Sequence, residues 1–447
     1  MNPKTIATIG LIVGVFLTAL EGTVVATAMP AVINDLGGHD LYALPFSIYL
    51  LTLTISSPLW GRFSDIAGRK VLYLVGIVLF LIGSALSGAA HSMNWLIAVR
   101  AIQGLGAGCV LPLTFTIIGE MYDLQGRAKI QGYTSAVWGL SGLLGPLVGG
   151  LIVDHASWRW VFYLNLPFGI VTLILCAIYM QDYFEKKSYF RIDAIGTVLL
   201  VIGISLLSWG LDQEVLWMVI GGLAAIALAM PFERRHPAPL LPVDSLRDFI
   251  SRNCLLNNLL AGAAFFGAIA YIPLFVQEVA GAGATAAGIV LTPMVVGYTL
   301  SNIVGGRIIH RVSLTALSII GFSLLTVGFA GFAILIHAGI YVMAAAGFVV
   351  GCGMGLGMLA TLLLVQSNSP SHEFGAATAA TVFARTIGGA LGVSLISLLI
   401  GDMKGISTTH LTTGLQRGFI LGFCLALLAL LISMLGTRLP SKKHPAT

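Results

Sequence analysis

Apolar residues run along this chain in blocks of 18 to 28, with short clusters of charged or turn-forming residues between them. Inside the blocks there is no strict apolar/polar alternation of the kind a half-buried strand requires, and each block reaches the roughly 20 residues that cross a bilayer as a helix. Fourteen such spans are expected, at 6–33, 42–61, 71–90, 95–118, 131–153, 160–180, 193–211, 215–232, 254–276, 284–306, 312–336, 339–366, 374–401 and 418–437. The pattern predicts an all-α membrane protein.

Composition agrees with the pattern. Of 447 residues, 57% are hydrophobic and 9% charged, against about 25% charged in soluble domains. That excludes a soluble enzyme, and it excludes disorder, which needs low hydrophobicity and high charge. The 54 glycines lack the three-residue period of collagen. The net charge of +5 matters less than where each charge falls, so nucleic acid is not an expected partner. The five cysteines stand alone in or beside apolar stretches and read as small core residues. The N-terminal run lacks a small-residue cleavage site and reads as an uncleaved first span.

Cytoplasmic loops retain Lys and Arg, which orients the map. With the N-terminus inside, eighteen of the 23 basic residues fall on the inner side, Arg159, Lys404 and Arg417 on the outer side, and Arg100 and Arg385 within spans. This predicts an N-in, C-in protein of the bacterial cytoplasmic (inner) membrane. Removing a pair of spans would leave that asymmetry unchanged, so hydropathy decides between twelve and fourteen. Residues 194–211 and 215–232 are two uncharged stretches joined by Asp212-Gln213-Glu214 and are expected to form a hairpin of two spans. The chain then divides into a six-helix bundle (1–180), connectors with the hairpin (181–253), and a second six-helix bundle with a short tail (254–447). Six-helix halves suggest the internal repeat of a secondary transporter.

Between the second and third spans lies Gly61-Arg62-Phe63-Ser64-Asp65-Ile66-Ala67-Gly68-Arg69-Lys70. It resembles the signature loop G-x-L-x-D-r-x-G-r-k of the major facilitator superfamily, with Ile66 in place of the usual base. The corresponding loop of the second half, Gly305 to Arg311, keeps glycines and bases without the acid. Three further segments are similar to the fourteen-helix drug:proton antiporter family. They are Leu20-Glu21-Gly22-Thr23 onward to Pro30, with Glu21 and Ala26 where that family has Asp and Asn; Arg100-Ala101-Ile102-Gln103-Gly104-Leu105-Gly106; and the glycine-rich run Gly139 to Gly150. Trp158 to Phe162, Asn165 to Gly169 and Arg385 to Gly389 extend the likeness.

Of 18 acidic residues, Glu21 alone falls near the middle of a span. A carboxyl group in a low-dielectric interior can exchange a proton near neutral pH, and intramembrane ionisable groups mark function by default. Glu21 is therefore the expected site of proton coupling. Arg100 cannot give up its own proton; the resemblance implies a role beside the coupling acid, with a structural tie in the first bundle as the other reading. For Arg385, on a face with Gly388, Gly389 and Gly392, the structural reading is favoured. In the fifth span Gly142, Gly145, Pro146 and Gly149 form a smooth, bent face, and the resemblance implies that it meets the span at 284–306. Asp65 is expected to pair with Arg69 or Arg127. The conformational switch is assigned to Gly61, Asp65, Gly68, Arg69, Lys70, Arg127 and the four residues of that bent face. Candidate cavity residues are Tyr49, Gln103, Trp138, Tyr271, Tyr298, Asn302, Phe383 and Arg385.

A membrane enzyme is disfavoured because all nine histidines lie in loops or near span ends, no metal-ligand spacing or nucleophile with its base occurs, and there is no P-loop. Together with the resemblance, these residues imply export of lipophilic or cationic small molecules in exchange for protons. No cofactor or metal is expected, membrane lipid surrounds the chain, and a monomer is anticipated. A proton-coupled transporter of a specific metabolite or lipid, or a channel, remains as an alternative.

Overall fold

The computed structural model describes residues 2–122, 124–181, 194–212, 215–235, 248–309, 311–368, 374–401 and 407–436. Fifteen α-helices are described. The first seven are α1 (Pro3–Leu36), α2 (Leu44–Ala67), α3 (Arg69–Gly88), α4 (Met93–Met121), α5 (Leu124–His155), α6 (Arg159–Tyr163) and α7 (Asn165–Tyr179). Two form the central pair, α8 (Ala194–Asp212) and α9 (Leu216–Arg235). The rest are α10 (Phe249–Leu274), α11 (Ala284–Ile308), α12 (Leu314–Ile334), α13 (Ile340–Asn368), α14 (Phe374–Ile400) and α15 (Thr408–Gly436). No strand occurs among the described residues.

Local chemistry marks the helix ends. The side chains of Asn2, Ser92, Asp248 and Ser313 each accept a backbone N–H in the first turn, at 3.1, 3.3, 2.9 and 3.2 Å, as N-caps do. Gly68 joins α2 to α3 with φ of +95°, a conformation that side-chain-bearing residues rarely adopt. Past Pro273 the end of α10 widens into a π turn over Phe275–Val279.

Among the described residues, twelve helical segments are long and apolar enough to cross a membrane, which corrects the expectation of fourteen. The central pair is helical, and its described apolar stretches, Val198–Leu207 and Leu216–Phe232, are shorter than that. A bilayer crossing asks for about 20 such residues. The pair packs as a hairpin, and α8 lies against α2 and α14, where Ile204 and Ile387 join Leu51 and Ile55 in one apolar cluster.

Helices α1–α7 pack on one another, as do α10–α15, and the two groups meet chiefly through α5 on α11 and α2 on α14. Helix reversals put the connections at residues 37–43, 89–92, 156–158 and 280–283 at one end of the molecule, here called distal. Arg159 fixes that geometry, with Nη1 2.7 Å from Asp35 and Nη2 donating to the Ala90 carbonyl at 3.1 Å. Among the described residues, every hydrogen bond recorded between the two groups lies in the distal half. Asn34 donates to Glu278 (3.2 Å), Tyr42 to the Ala270 carbonyl (2.7 Å), Ser47 to the Ala390 carbonyl (3.4 Å) and Gln277 to the Thr27 carbonyl (3.1 Å). The molecule is therefore shut at its distal end.

Candidate functional site

Glu21 lies 18 residues into α1, about 27 Å from its start. It is 1% exposed, and both carboxylate oxygens are bonded. Oε1 accepts from Arg100 Nη1 of α4, and Oε2 accepts from the Asn165 side chain, the first residue of α7. Arg100, also 1% exposed, donates in addition to the Pro45 carbonyl (3.1 Å) and to Gln103 Oε1 (2.8 Å), and its guanidinium lies 4.2 Å from the centre of the Tyr49 ring. Asn165 uses its other N–H on Ser84 Oγ of α3 (2.9 Å), which donates to the Phe162 carbonyl (2.8 Å). One buried acid thus ties α1, α3, α4 and α7 together and adds α2 through Pro45 and Tyr49.

Burial explains why these groups are so thoroughly bonded: a charge removed from water is tolerated only when paired and hydrogen-bonded. Two polar atoms beside the pair lack partners, Tyr49 Oη and Gln103 Nε2. Glycine lets the helices come this close. A Cβ on Gly104 would stand 2.6 Å from the Tyr49 carbonyl oxygen, and one on Gly83 would stand 2.6 Å from Gln103 Cα.

The remaining candidates separate into distinct places. Gly142 faces Val295 of α11, while Gly145 and Gly149 face Thr23 and Thr27 of α1. Pro146 presents its carbonyl to Gly288, so α5 is clasped between α1 and α11. In the α2–α3 loop, Arg69 Nε lies 3.0 Å from Glu120 Oε1 of α4, and Nη1 donates to Ser64 Oγ and to the Gly61 carbonyl (3.4 Å). Lys70 follows it in the first turn of α3. The side chains of Asp65 and Arg127, and hence the expected Asp65 pairing, lie outside the described residues.

Tyr271 is fully buried in the distal closure, its ring centre 5.2 Å from that of Tyr42 and its hydroxyl donating to the Val393 carbonyl (3.3 Å). Tyr298 stacks on Phe265 at 6.0 Å, and Asn302 donates to the Tyr298 carbonyl within its own helix (2.9 Å). Phe383 packs on the α8 cluster, and Trp138 is 41% exposed on α5. These five do not converge with Glu21. Asn165, Ser84, Glu120 and Asp154 escaped assignment from sequence. A polar residue opening an apolar run was the available signal for Asn165, whereas Glu120 and Asp154 look like ordinary helix-end acids.

Asp154 closes the distal end in a particular way. Helix α11 has no side-chain cap of its own at Gly283, and the Asp154 carboxylate from α5 accepts the Ala284 N–H at 2.9 Å and the Thr285 N–H at 2.8 Å. The cap is supplied across the interface, so it exists only while that end is shut. Asp154→Ala is expected to weaken the closed arrangement by about 0.5–2 kcal/mol, a population change of roughly 2- to 30-fold. Nitroxide labels at Ala156→Cys and Ala280→Cys in a cysteine-free background should show a growing long-distance population; an unchanged distance distribution would dismiss the latch.

A bundle of membrane-length helices in two groups, closed at one end around a buried acid, defines a transporter rather than an enzyme. The chain belongs to the Major Facilitator Superfamily, which it matches over residues 11–393. It is 32% identical over 415 residues to the multidrug transporter protein MdtP of Bacillus subtilis (strain 168), covering 90% of this chain and 76% of that one. It is 29% identical over 419 residues to the multidrug efflux pump SdrM of Staphylococcus aureus (strain N315), covering 91% and 92%. Its fold is similar to that of a D-xylose-proton symporter, with a TM-score of 0.71 at 15% identity over 98% of both chains.

Proposed function

We propose that this protein is a drug:proton antiporter that exports lipophilic, including cationic, compounds from the cytoplasm by alternating access. The observation that carries the reading is Glu21, a carboxylate buried mid-helix and bonded to Arg100 of α4 and Asn165 of α7. Protonating it removes the charge that holds Arg100 and Asn165 in place, so proton binding and helix arrangement are linked. The relatives' names, a multidrug transporter and a multidrug efflux pump, support the substrate class and the outward direction.

In this reading the N-terminus is cytoplasmic and the distal end faces outward, so the described state is closed to the outside. Helices α8 and α9 have 19 and 20 residues, about 28 and 30 Å of helix. We take them as a hairpin that braces α2 against α14. The protein sits in the bacterial cytoplasmic membrane and uses protons as its coupling ion, without a cofactor.

Everted vesicles test the mechanism directly. With an acidic lumen, added ethidium should accumulate inside and raise lumenal pH as protons leave; without the gradient neither change should occur. Dye movement that ignores the gradient would instead indicate a channel or a uniporter.

A further inference from the structure

The second bundle holds a charge that no acid among the described residues neutralises. Arg385 lies 11 residues into the 27 of α14, about 16 Å from its start and so near mid-span. Its Nε is fully buried and has no hydrogen-bond partner, and no carboxylate pairs with it among the described residues. The sequence accounts for the missing counter-ion. The three acids between residues 249 and 436 are Glu278, Glu373 and Asp402, all at or beyond helix ends. The contrast with Arg100 is complete, since that guanidinium, equally deep, is bonded to an acid, an amide and a carbonyl.

A structural tie needs an acceptor, and the described residues give Arg385 Nε none. A guanidinium keeps its charge at any usable pH, and charged groups at this depth face protein interior or water rather than hydrocarbon. Its surroundings point the same way. The backbone at Arg385 is pressed against Gly262 of α10, where an added Cβ would stand 3.0 Å from Arg385 Cα, so the helix is fixed while the side chain is left partly accessible. Phe383, two residues earlier, belongs to the apolar cluster at the junction of α2, α8 and α14, which places Arg385 on a helix that borders the seam between the bundles.

We propose that Arg385 receives the anionic group of the substrate, and that the compounds carried include lipophilic acids and zwitterions: an apolar body with one carboxylate. This rests on the transporter reading above and deepens it. With Glu21 occupied by Arg100 and Asn165, the charge left free for a guest in the described state is positive. A planar guanidinium fits a carboxylate with two parallel hydrogen bonds, and the apolar cluster that Phe383 joins on the same helix suits an apolar body beside it.

Binding to the full chain in phosphatidylcholine nanodiscs, with no proton gradient, separates this proposal from antiport itself. The probes are naproxen, a lipophilic aryl carboxylate, and its methyl ester, followed by quenching of tryptophan fluorescence. Wild type should bind the acid about tenfold or more tightly than the ester. Arg385→Gln should bind both alike, and Arg385→Lys should retain part of the preference as a point charge. An equal response of wild type to acid and ester would overturn the proposal, and so would an acid preference that survives Arg385→Gln. Should Arg385→Gln fail to fold, the wild-type acid-to-ester ratio and Arg385→Lys decide alone. Loss of the acid preference on adding phosphatidylglycerol would assign the guanidinium to a lipid headgroup and overturn it too. Failure of gradient-driven efflux, by contrast, leaves these binding ratios unaffected.

Discussion

Glu21→Gln should reduce pH-gradient-driven dye accumulation in everted vesicles to that of vesicles lacking the protein, while the protein is still made and inserted. The amide keeps the volume of the acid and can still accept from Arg100, and the one bond it gives up is that from Asn165, which keeps its bond to Ser84. What it cannot do is alternate between a charged and a neutral state. Glu21→Asp supplies the control: it titrates, but is one methylene shorter, so its bonds to Arg100 on α4 and Asn165 on α7 cannot both reach unless α1 moves. Partial, gradient-dependent activity is expected there. Undiminished gradient-driven accumulation by Glu21→Gln would remove Glu21 from the coupling mechanism.

The sequence exposes Glu21 because depth and charge are both readable along one chain: an acid in the middle of an apolar run has nowhere to go but the interior. Arg100 is readable on the same ground. Their meeting is not, since it depends on which faces of α1 and α4 turn toward each other, and both helices are apolar around most of their circumference. Asn165 shows the limit more sharply. It stands at the start of a helix, where an Asn reads as a cap, yet its side chain donates to Glu21 and Ser84. Asp154 is a similar case, because its partners are backbone N–H groups of α11, which carry no sequence signature. The central pair is the case where the pattern misleads. Its uncharged stretches sit near the crossing length, where a few residues decide the count, and among the described residues neither reaches it.

The strongest effect on stability should come from splitting the buried pair, and from splitting it on one side only. Arg100→Leu leaves the Glu21 carboxylate with Asn165 alone, deprives Gln103 Oε1 of its donor and frees the Pro45 carbonyl. Breaking a buried ion pair by removing one partner costs about 3–5 kcal/mol, whereas replacing both by uncharged groups is often neutral. The double variant Glu21→Gln/Arg100→Leu should therefore unfold at a higher temperature than Arg100→Leu alone, with thermal unfolding in detergent followed by a thiol-reactive dye on the buried cysteines. Transport should be absent from both. The two observables then move apart: stability returns when the second charge is removed and activity does not. That behaviour belongs to a pair kept for proton exchange rather than for holding the bundle together. If single and double variants unfold alike, the two side chains are energetically independent, and the coupling of protonation to helix arrangement must be carried elsewhere.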